Sequence, residues 1–358
     1  MKIDATIKSL PSYCENRDLP IKYYYENEPI SEFTNIPRTP DVEMHWQYQK
    51  YLSEIREFQN GPFYVAELKN IKVAGYNNVG SIKVITDKNE LLQSVSTTYE
   101  QSEKVELQDN KVEGVSVLLS VDSASMYFHW MCHVLPRVDL LNQHKVDWSK
   151  INKIILPKEV DSRFQVDSLK RLKVPQDKIL KLGKGDCFEF ENLIIPSVVG
   201  RHIFLSNWIY DFLKTNFLKK EKKHHDKIYI SREKTNTRNV NNEEEVLDFL
   251  KRKGFHRIYM EDYDIFTQAD IFNSAKQIVC PHGSCLANLA YCEPETKICE
   301  FFSPNYVLPL YWSMSNDLNL EYSYLIGEGN RPSEGEDPHL GKDNINVKMV
   351  DLEKILHE

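Results

Sequence analysis

From Ile228 to Leu325 the chain alternates short apolar runs with amphipathic stretches, a spacing that fits parallel strands joined by helical crossovers. Ile228 to Ile230, Ile258 to Met260, Gln277 to Cys280, Lys297 to Phe302 and Tyr322 to Leu325 read as strands. Asn242 to Lys253, Thr267 to Ala275 and Leu308 to Leu318 read as helices, and another helix is expected after Ser284. The first of these helices has acids in its first turn, Lys and Arg in its last, and Gly254 as a stop, so its charges oppose both ends of the helix dipole. The expected fold of this half is α/β, a doubly wound parallel sheet. Ligands of such sheets bind at the carboxyl ends of the strands.

One of those strand ends carries Cys280-Pro281-His282-Gly283-Ser284-Cys285-Leu286-Ala287-Asn288-Leu289. A tight His-Gly-Ser turn opening a helix offers free backbone N–H groups to a phosphate. Gly283 permits close approach and unusual dihedral angles, and His282 can donate a hydrogen bond. The bland alternative is a turn whose His merely caps the helix. Upstream, Tyr229-Ile230-Ser231-Arg232 ends another strand, with Arg238 shortly after. Guanidinium forks suit phosphate oxygens, although the neighbours Glu233 and Lys234 equally suit a solvated loop. Together these segments predict a diphosphate pocket. Glu300 sits late in an apolar strand, where an unpaired carboxylate is costly. A ribose diol would satisfy it, and so would an escape to solvent.

The first half is less regular. Residues 1 to 60 are polar and punctuated by Pro, with a helix expected near Met44 to Phe58. Phe63 to Leu68, Ser81 to Thr86, Val115 to Ser120, Ile151 to Leu156 and Leu193 to Ile195 read as strands, and Phe164 to Leu172 and Trp208 to Leu218 as helices. Asp87 to Val112 reads as a loop or insertion, and the charged run Lys219 to Asp226 as a domain boundary. Tyr127 to Asn142 has helical periodicity, with Trp130, Val134, Val138 and Leu141 on one side and Pro136 requiring a kink or restart. His129 and His133 share a face of that helix. Their spacing suits a metal, but neither a third ligand nor the Glu of a His-Glu-x-x-His motif accompanies them. An imidazole titrating near neutrality is also a candidate general base. Asp122 and Asp139 are further carboxylates nearby, and Arg137 either orients a substrate or pairs with Asp139.

A length of 358 residues predicts two domains. A net charge of −8 argues against nucleic acid as a partner. No window approaches the ~20 apolar residues of a membrane span, and Met1 to Pro20 is too polar for a signal peptide. Seven Cys without a Cys-x-x-Cys pair read as buried thiols of a reducing compartment, not a zinc site. A cytoplasmic location is therefore expected. Gly183-Lys184-Gly185 has Phe188 where a dinucleotide loop needs its third Gly, which disfavours a nicotinamide oxidoreductase.

Four segments, in order, carry a resemblance: Tyr127 to Arg137; Tyr229 to Arg232 with Arg238, Asn242 and Glu243; Pro281 to Asn288; and Lys297 to Phe302. Over roughly residues 115 to 330 the chain resembles glycosyltransferase family 61. That family includes protein O-linked N-acetylglucosaminyltransferases, plant xylosyltransferases and bacterial capsule or lipopolysaccharide enzymes. Bacterial members carry an acid where this chain has His133. The resemblance implies a GT-B architecture, two Rossmann-like domains facing a central cleft. Residues 1–218 would be the acceptor-side domain, with 1–60 as a candidate extension; 226–330 would bind the nucleotide sugar, and 331–358 would be a tail.

It implies an inverting, metal-independent hexosyl- or pentosyltransferase that moves a sugar from a UDP-sugar to a glycan hydroxyl in polysaccharide or capsule biosynthesis. His133 or His129 would be the base, Arg137 and Asp139 acceptor-side or orienting groups, and Arg232, Arg238, His282, Gly283, Ser284 and Glu300 the donor site. The expected partners are a nucleotide-sugar donor and a glycan acceptor, with no nucleic acid and no transmembrane segment; peripheral membrane association and oligomeric state stay open. No cofactor or metal is expected, because the two arginines would take a metal's place. Asp262-Tyr263-Asp264 then reads as helix-capping rather than metal-binding. Eukaryotic members are lumenal, so the absence of a signal leans toward a bacterial or viral enzyme. The missing acid leaves one rival, a catalytically inactive nucleotide-sugar-binding protein of the same fold.

Overall fold

The computed structural model describes residues 3–25, 28–29, 36–54, 59–96, 111–200, 204–336 and 341–357. They form two compact units, one from Met1–Glu28 with Asn60–Arg201 and the other from Pro29–Gln59 with His202–Glu358. The last residues of the expected helix, 55–58, and positions 97–110 of the expected loop lie outside the described residues.

The described strands up to Pro196 are β1 (Ala5–Ile7), β2 (Ile21–Tyr25), β3 (Glu28–Pro29), β4 (Gln59–Asn60), β5 (Phe63–Gly75), β6 (Ile82–Ile85), β7 (Glu90–Leu92), β8 (Lys111–Leu118), β9 (Ile151–Pro157), β10 (Ile179–Leu182) and β11 (Cys187–Pro196); β3 and β4 pair only with each other, and the rest belong to the first unit. The main sheet runs β1-β7-β6-β5-β11-β8-β9-β10, with β2 also on β5. Pairing is parallel from β11 through β8 and β9 to β10, but antiparallel wherever β5 meets β11, β6 or β2. The sheet is therefore mixed, not uniformly Rossmann-like. The cause is local: a tight connection turns β5 back into β6, and Asn77 Oδ1 accepts the N–H groups of Val79, Gly80 and Ser81 within it. A hairpin of this kind yields antiparallel strands. The core includes Leu10, Tyr64, Leu68, Ile155, Phe190 and Leu193.

The histidine-bearing segment is one helix with a change of winding. Tyr127–His129 is α-helical, Trp130–Val134 makes a π turn, and Leu135–Gln143 resumes the α-helix with Pro136 in its first turn. There the missing proline N–H removes no required hydrogen bond. Trp130, Val134, Val138 and Leu141 are buried, and so are Met131, Cys132, Leu135 and Leu140 from other faces. The helix is enclosed, not merely amphipathic.

The second unit holds the strands β12 (Lys227–Ile230), β13 (His256–Ile258), β14 (Gln277–Pro281), β15 (Lys297–Phe302) and β16 (Glu321–Ile326). All pairs are parallel, in the order β13-β12-β14-β15-β16. Parallel strands covered on both faces read as continuous apolar runs, which is why this half is legible in the sequence. The helix Glu243–Arg252 ends before Gly254, whose φ of +84° is the left-handed value a glycine accepts. The helix Ile265–Ser274 is capped by Asp264, whose Oδ1 accepts the Thr267 N–H at 2.8 Å. Arg38 pairs with Ser323 alongside β16, and the helix Trp46–Glu54 follows it. Val240 and Ile345 form an isolated bridge ahead of the helix Met349–His357.

Among the described residues no helix is long and apolar enough to cross a membrane. All seven cysteines are free thiols, six of them buried and Cys285 half-buried. Removing the Asp264 cap in Asp264→Ala is expected to lower stability by about 1 kcal/mol, read from the urea midpoint.

Candidate functional site

In the sheet order of the second unit, β12 and β14 are the neighbours at which the winding reverses, and the carboxyl ends of such a pair form a crevice. β12 delivers Ser231 and Arg232 there, and β14 delivers His282 and Gly283. The Ser231 N–H extends the ladder to Ile258 O at 2.9 Å, and the hydroxyls of Ser231 and Tyr229 both donate to Glu243 Oε1 at 2.8 Å. The loop beyond is tied down by its own threonines. Arg232 O accepts from the N–H and hydroxyl of Thr235 at 2.8 and 2.9 Å, and Arg232 Nε donates to Thr237 O at 3.0 Å.

The Arg232 guanidinium rests against Gly283. A Cβ on Gly283 would lie 2.1 Å from Arg232 Nη1. The φ of Gly283 is −176°, extended backbone open to any residue, so the expected unusual dihedral is absent. Glycine is needed here for close approach alone. Arg238, at a left-handed φ of 57°, sets its guanidinium 5.5 Å from the Tyr306 ring centre. Its Nε is buried with no partner, and burial followed by the charge of Arg232 pulls its pKa below the usual arginine value. A bound anion would relieve the repulsion that Arg232 exerts on Arg238.

His282 joins them, held by its N–H to Phe301 O at 2.8 Å and packed among the rings of Phe302, Tyr306 and Tyr311. Its Nδ1 lies 2.5 Å from Glu300 Oε1. Burial, then Arg238 and Arg232, press the imidazole pKa well below its ordinary value, while burial raises that of Glu300. The pair thus favours one shared proton with no separated charge, and Nε2 is the nitrogen left for a ligand. Glu300 itself is 0% exposed, and its second oxygen accepts from the Tyr322 hydroxyl. Both oxygens are engaged and the side chain is fully buried, so it does not escape to solvent. The helix expected after Ser284 is present as a 3₁₀ helix, Ser284–Tyr291.

In the first unit the π turn brings His129 Nδ1 to 3.0 Å from His133 Nδ1. One must donate and the other accept, so the neutral rings hold opposite tautomers. The edge of Phe128 meets both rings at 5.4 Å. His133 Nε2 is buried without a partner, and burial, then His129 and Arg137, hold that ring well below its ordinary pKa. His129 is half-buried; burial lowers its pKa and Asp122 opposes the shift.

Arg137 and Asp139 part company. Arg137 is 1% exposed, with Nη1 donating to Leu119 O and Ser120 O at 2.9 and 3.0 Å and Nη2 to Pro196 O at 2.7 Å. These carbonyls lie just beyond β8 and at the end of β11, so the guanidinium fastens strand ends together. Burial lowers its pKa to about 9. Asp139 instead accepts from Tyr25 at 3.1 Å and Gln143 at 2.6 Å. Of the Asp-Tyr-Asp stretch, Asp262 is held by Lys234 Nζ at 2.5 and 2.7 Å and Asp264 caps its helix.

The family model Glycosyltransferase 61 matches residues 127–299, a span that includes the histidine pair, both arginines and the His282 turn. Over that span, just under half of the chain, the protein is similar to glycosyltransferase family 61, a likeness that supports glycosyltransferase activity. A search of curated proteins finds no match to the chain.

Two residues of the site gave no sequence signal. Tyr322 and Tyr48 meet Glu300 and each other only through tertiary structure, at separations of 22 and 274 residues. Gly283→Ala is expected to push Arg232 aside and weaken pyrophosphate binding at least tenfold, with little change in urea midpoint. Titration calorimetry beside a denaturation curve checks both.

Proposed function

We propose that the protein transfers a hexosyl or pentosyl group from a nucleoside diphosphate sugar, UDP-linked in the first instance, to a glycan hydroxyl in polysaccharide or capsule biosynthesis. The transfer is inverting, needs no metal, and belongs to an enzyme of GT-B type. One observation carries the reading: Arg232, Arg238 and His282 converge at the carboxyl ends of β12 and β14. Charge develops on the leaving diphosphate as the sugar–oxygen bond breaks. Preorganised cationic donors stabilise it there, the role a metal takes elsewhere. Glu300 is fully buried behind His282 and Tyr322 and acts by orienting His282.

The first unit supplies the base. Of its two histidines, His129 is the more exposed, whereas His133 has one nitrogen bonded to His129 and the other buried. The assignment that fits this geometry is His129 Nε2 as the proton acceptor. Its Nδ1–H donates to His133 Nδ1, which fixes the tautomer and disperses the charge of the imidazolium that forms. His133 is then the positioning residue, standing where relatives carry an acid. Arg137 and Asp139 hold the helix in place.

Calorimetry with UDP tests the donor site: Arg232→Ala should cost about 1.5–3 kcal/mol, the range for hydrogen bonds to charged groups. Unchanged affinity in a folded variant overturns it. Turnover tests the base: His129→Ala should lower it by roughly 10²–10⁴-fold while UDP affinity stays intact. The base works as neutral imidazole and burial lowers its pKa, so activity should be full at pH 7 and fall off only below the ordinary histidine value of about 6.5. A rate that instead declines on raising the pH through neutrality contradicts this assignment.

A further inference from the structure

Glu300 is the buried hub of a longer chain of groups. Its Oε1 faces His282 Nδ1 at 2.5 Å, and its Oε2 accepts from the Tyr322 hydroxyl. The Tyr322 hydroxyl lies 3.0 Å from that of Tyr48. Tyr48 and Tyr322 are 0% and 3% exposed. A phenol has one proton to give. Tyr322 spends its proton on Glu300, so its oxygen accepts from Tyr48, which fixes the direction from Tyr48 through Tyr322 to Glu300; Glu300 and His282 then share the next proton.

The segment that brings Tyr48 is held by its own contacts. Arg38 N–H donates to Tyr322 O at 3.1 Å, and Tyr324 N–H donates to Arg38 O at 2.9 Å. The Tyr48 ring stacks on Tyr324 with centres 4.5 Å apart and planes 8° from parallel. The His45 N–H donates to the Tyr324 hydroxyl at 3.0 Å. An aromatic core position would be filled as well by Phe. Two buried hydroxyls in series leading to one carboxylate are a polar arrangement, and such arrangements are stabilising only when every member is satisfied.

We propose that Tyr322 and Tyr48 are positioning residues of the donor site, orienting the Glu300 carboxylate so that His282 presents Nε2 to the donor diphosphate, and that the segment 36–54 is therefore part of that site. This rests on the donor reading given above. Tyr322 acts on Glu300 directly and Tyr48 only through Tyr322, so the two should differ in size of effect and agree in sign.

The test compares Tyr322→Phe and Tyr48→Phe with the unaltered full-length protein, using UDP as ligand. Three quantities are read: UDP affinity, Tm, and the ¹⁵N spectrum of labelled histidine with the His282 signal assigned by His282→Asn. Tyr322→Phe should raise the UDP Kd roughly threefold to tenfold, the scale of one hydrogen bond. It should also shift the His282 Nδ1 resonance, and Tyr48→Phe should do the same by a smaller amount. A lowered Tm with unchanged UDP affinity and an unmoved His282 resonance overturns the proposal and leaves both tyrosines as core packing. If the unaltered protein does not bind UDP, the donor reading fails. An unmoved His282 resonance in Tyr322→Phe then separately overturns the coupling.

Discussion

The second unit is organised around one expensive contact, the burial of the Glu300 carboxyl beside His282. Taking a carboxylate out of water costs several kcal/mol, and the attraction of a partner offsets this only when the remaining lone pairs are also satisfied. Here they are: one oxygen has the imidazole and the other a phenol. Breaking either contact would leave a buried group without its partner, which costs more than the contact was worth. The positions of the His282 turn, the β15 strand and the edge strand β16 are therefore coupled through a single side chain.

Around that contact, like charges are gathered rather than separated. Arg232 is spaced from Arg238 only by its own loop, and the loop spends its carbonyls and hydroxyls on holding Arg232 in place. A fold selected for stability alone would not concentrate two guanidiniums at the mouth of a parallel sheet. The first unit shows the contrary use of the same residue: both terminal nitrogens of the buried Arg137 guanidinium are spent on three carbonyls of the scaffold. Sequence alone could not separate the two roles, because a guanidinium following a strand and one inside a helix have the same chemistry until their partners are known.

What was legible followed from short-range physics. Four of the five parallel strands announce themselves because burial leaves little polar alternation to confuse them, whereas the edge strand β13, with His256 and Arg257 exposed, lies two residues before the expected Ile258 to Met260; Gly254 and Asp264 are helix punctuation that acts within a few residues. Strands β10 and most of β11 were not read, since their charged residues mask the apolar positions; Cys187–Pro196 includes Glu189, Glu191 and Asn192. The hairpin between β5 and β6 depends on Asn77 accepting three N–H groups, a pattern with no periodicity. The exposure of His129 relative to His133 follows from a π turn, and nothing in the spacing i, i+4 distinguishes that turn from an ordinary helix.

The hydroxyls of Tyr48 and Tyr322 touch across 274 residues of sequence. Synthesis proceeds at roughly 5–20 residues per second, so about 15–55 s separate the emergence of the two groups from the ribosome. During that interval the first unit can acquire every strand it needs, while the aromatic face of Trp46–Glu54 has no β16 to cover. The nascent chain therefore carries Trp46 and Tyr48 uncovered until β16 emerges. Its yield in a cell should depend on chaperones that shield apolar helices, independently of the thermodynamic stability of the finished protein.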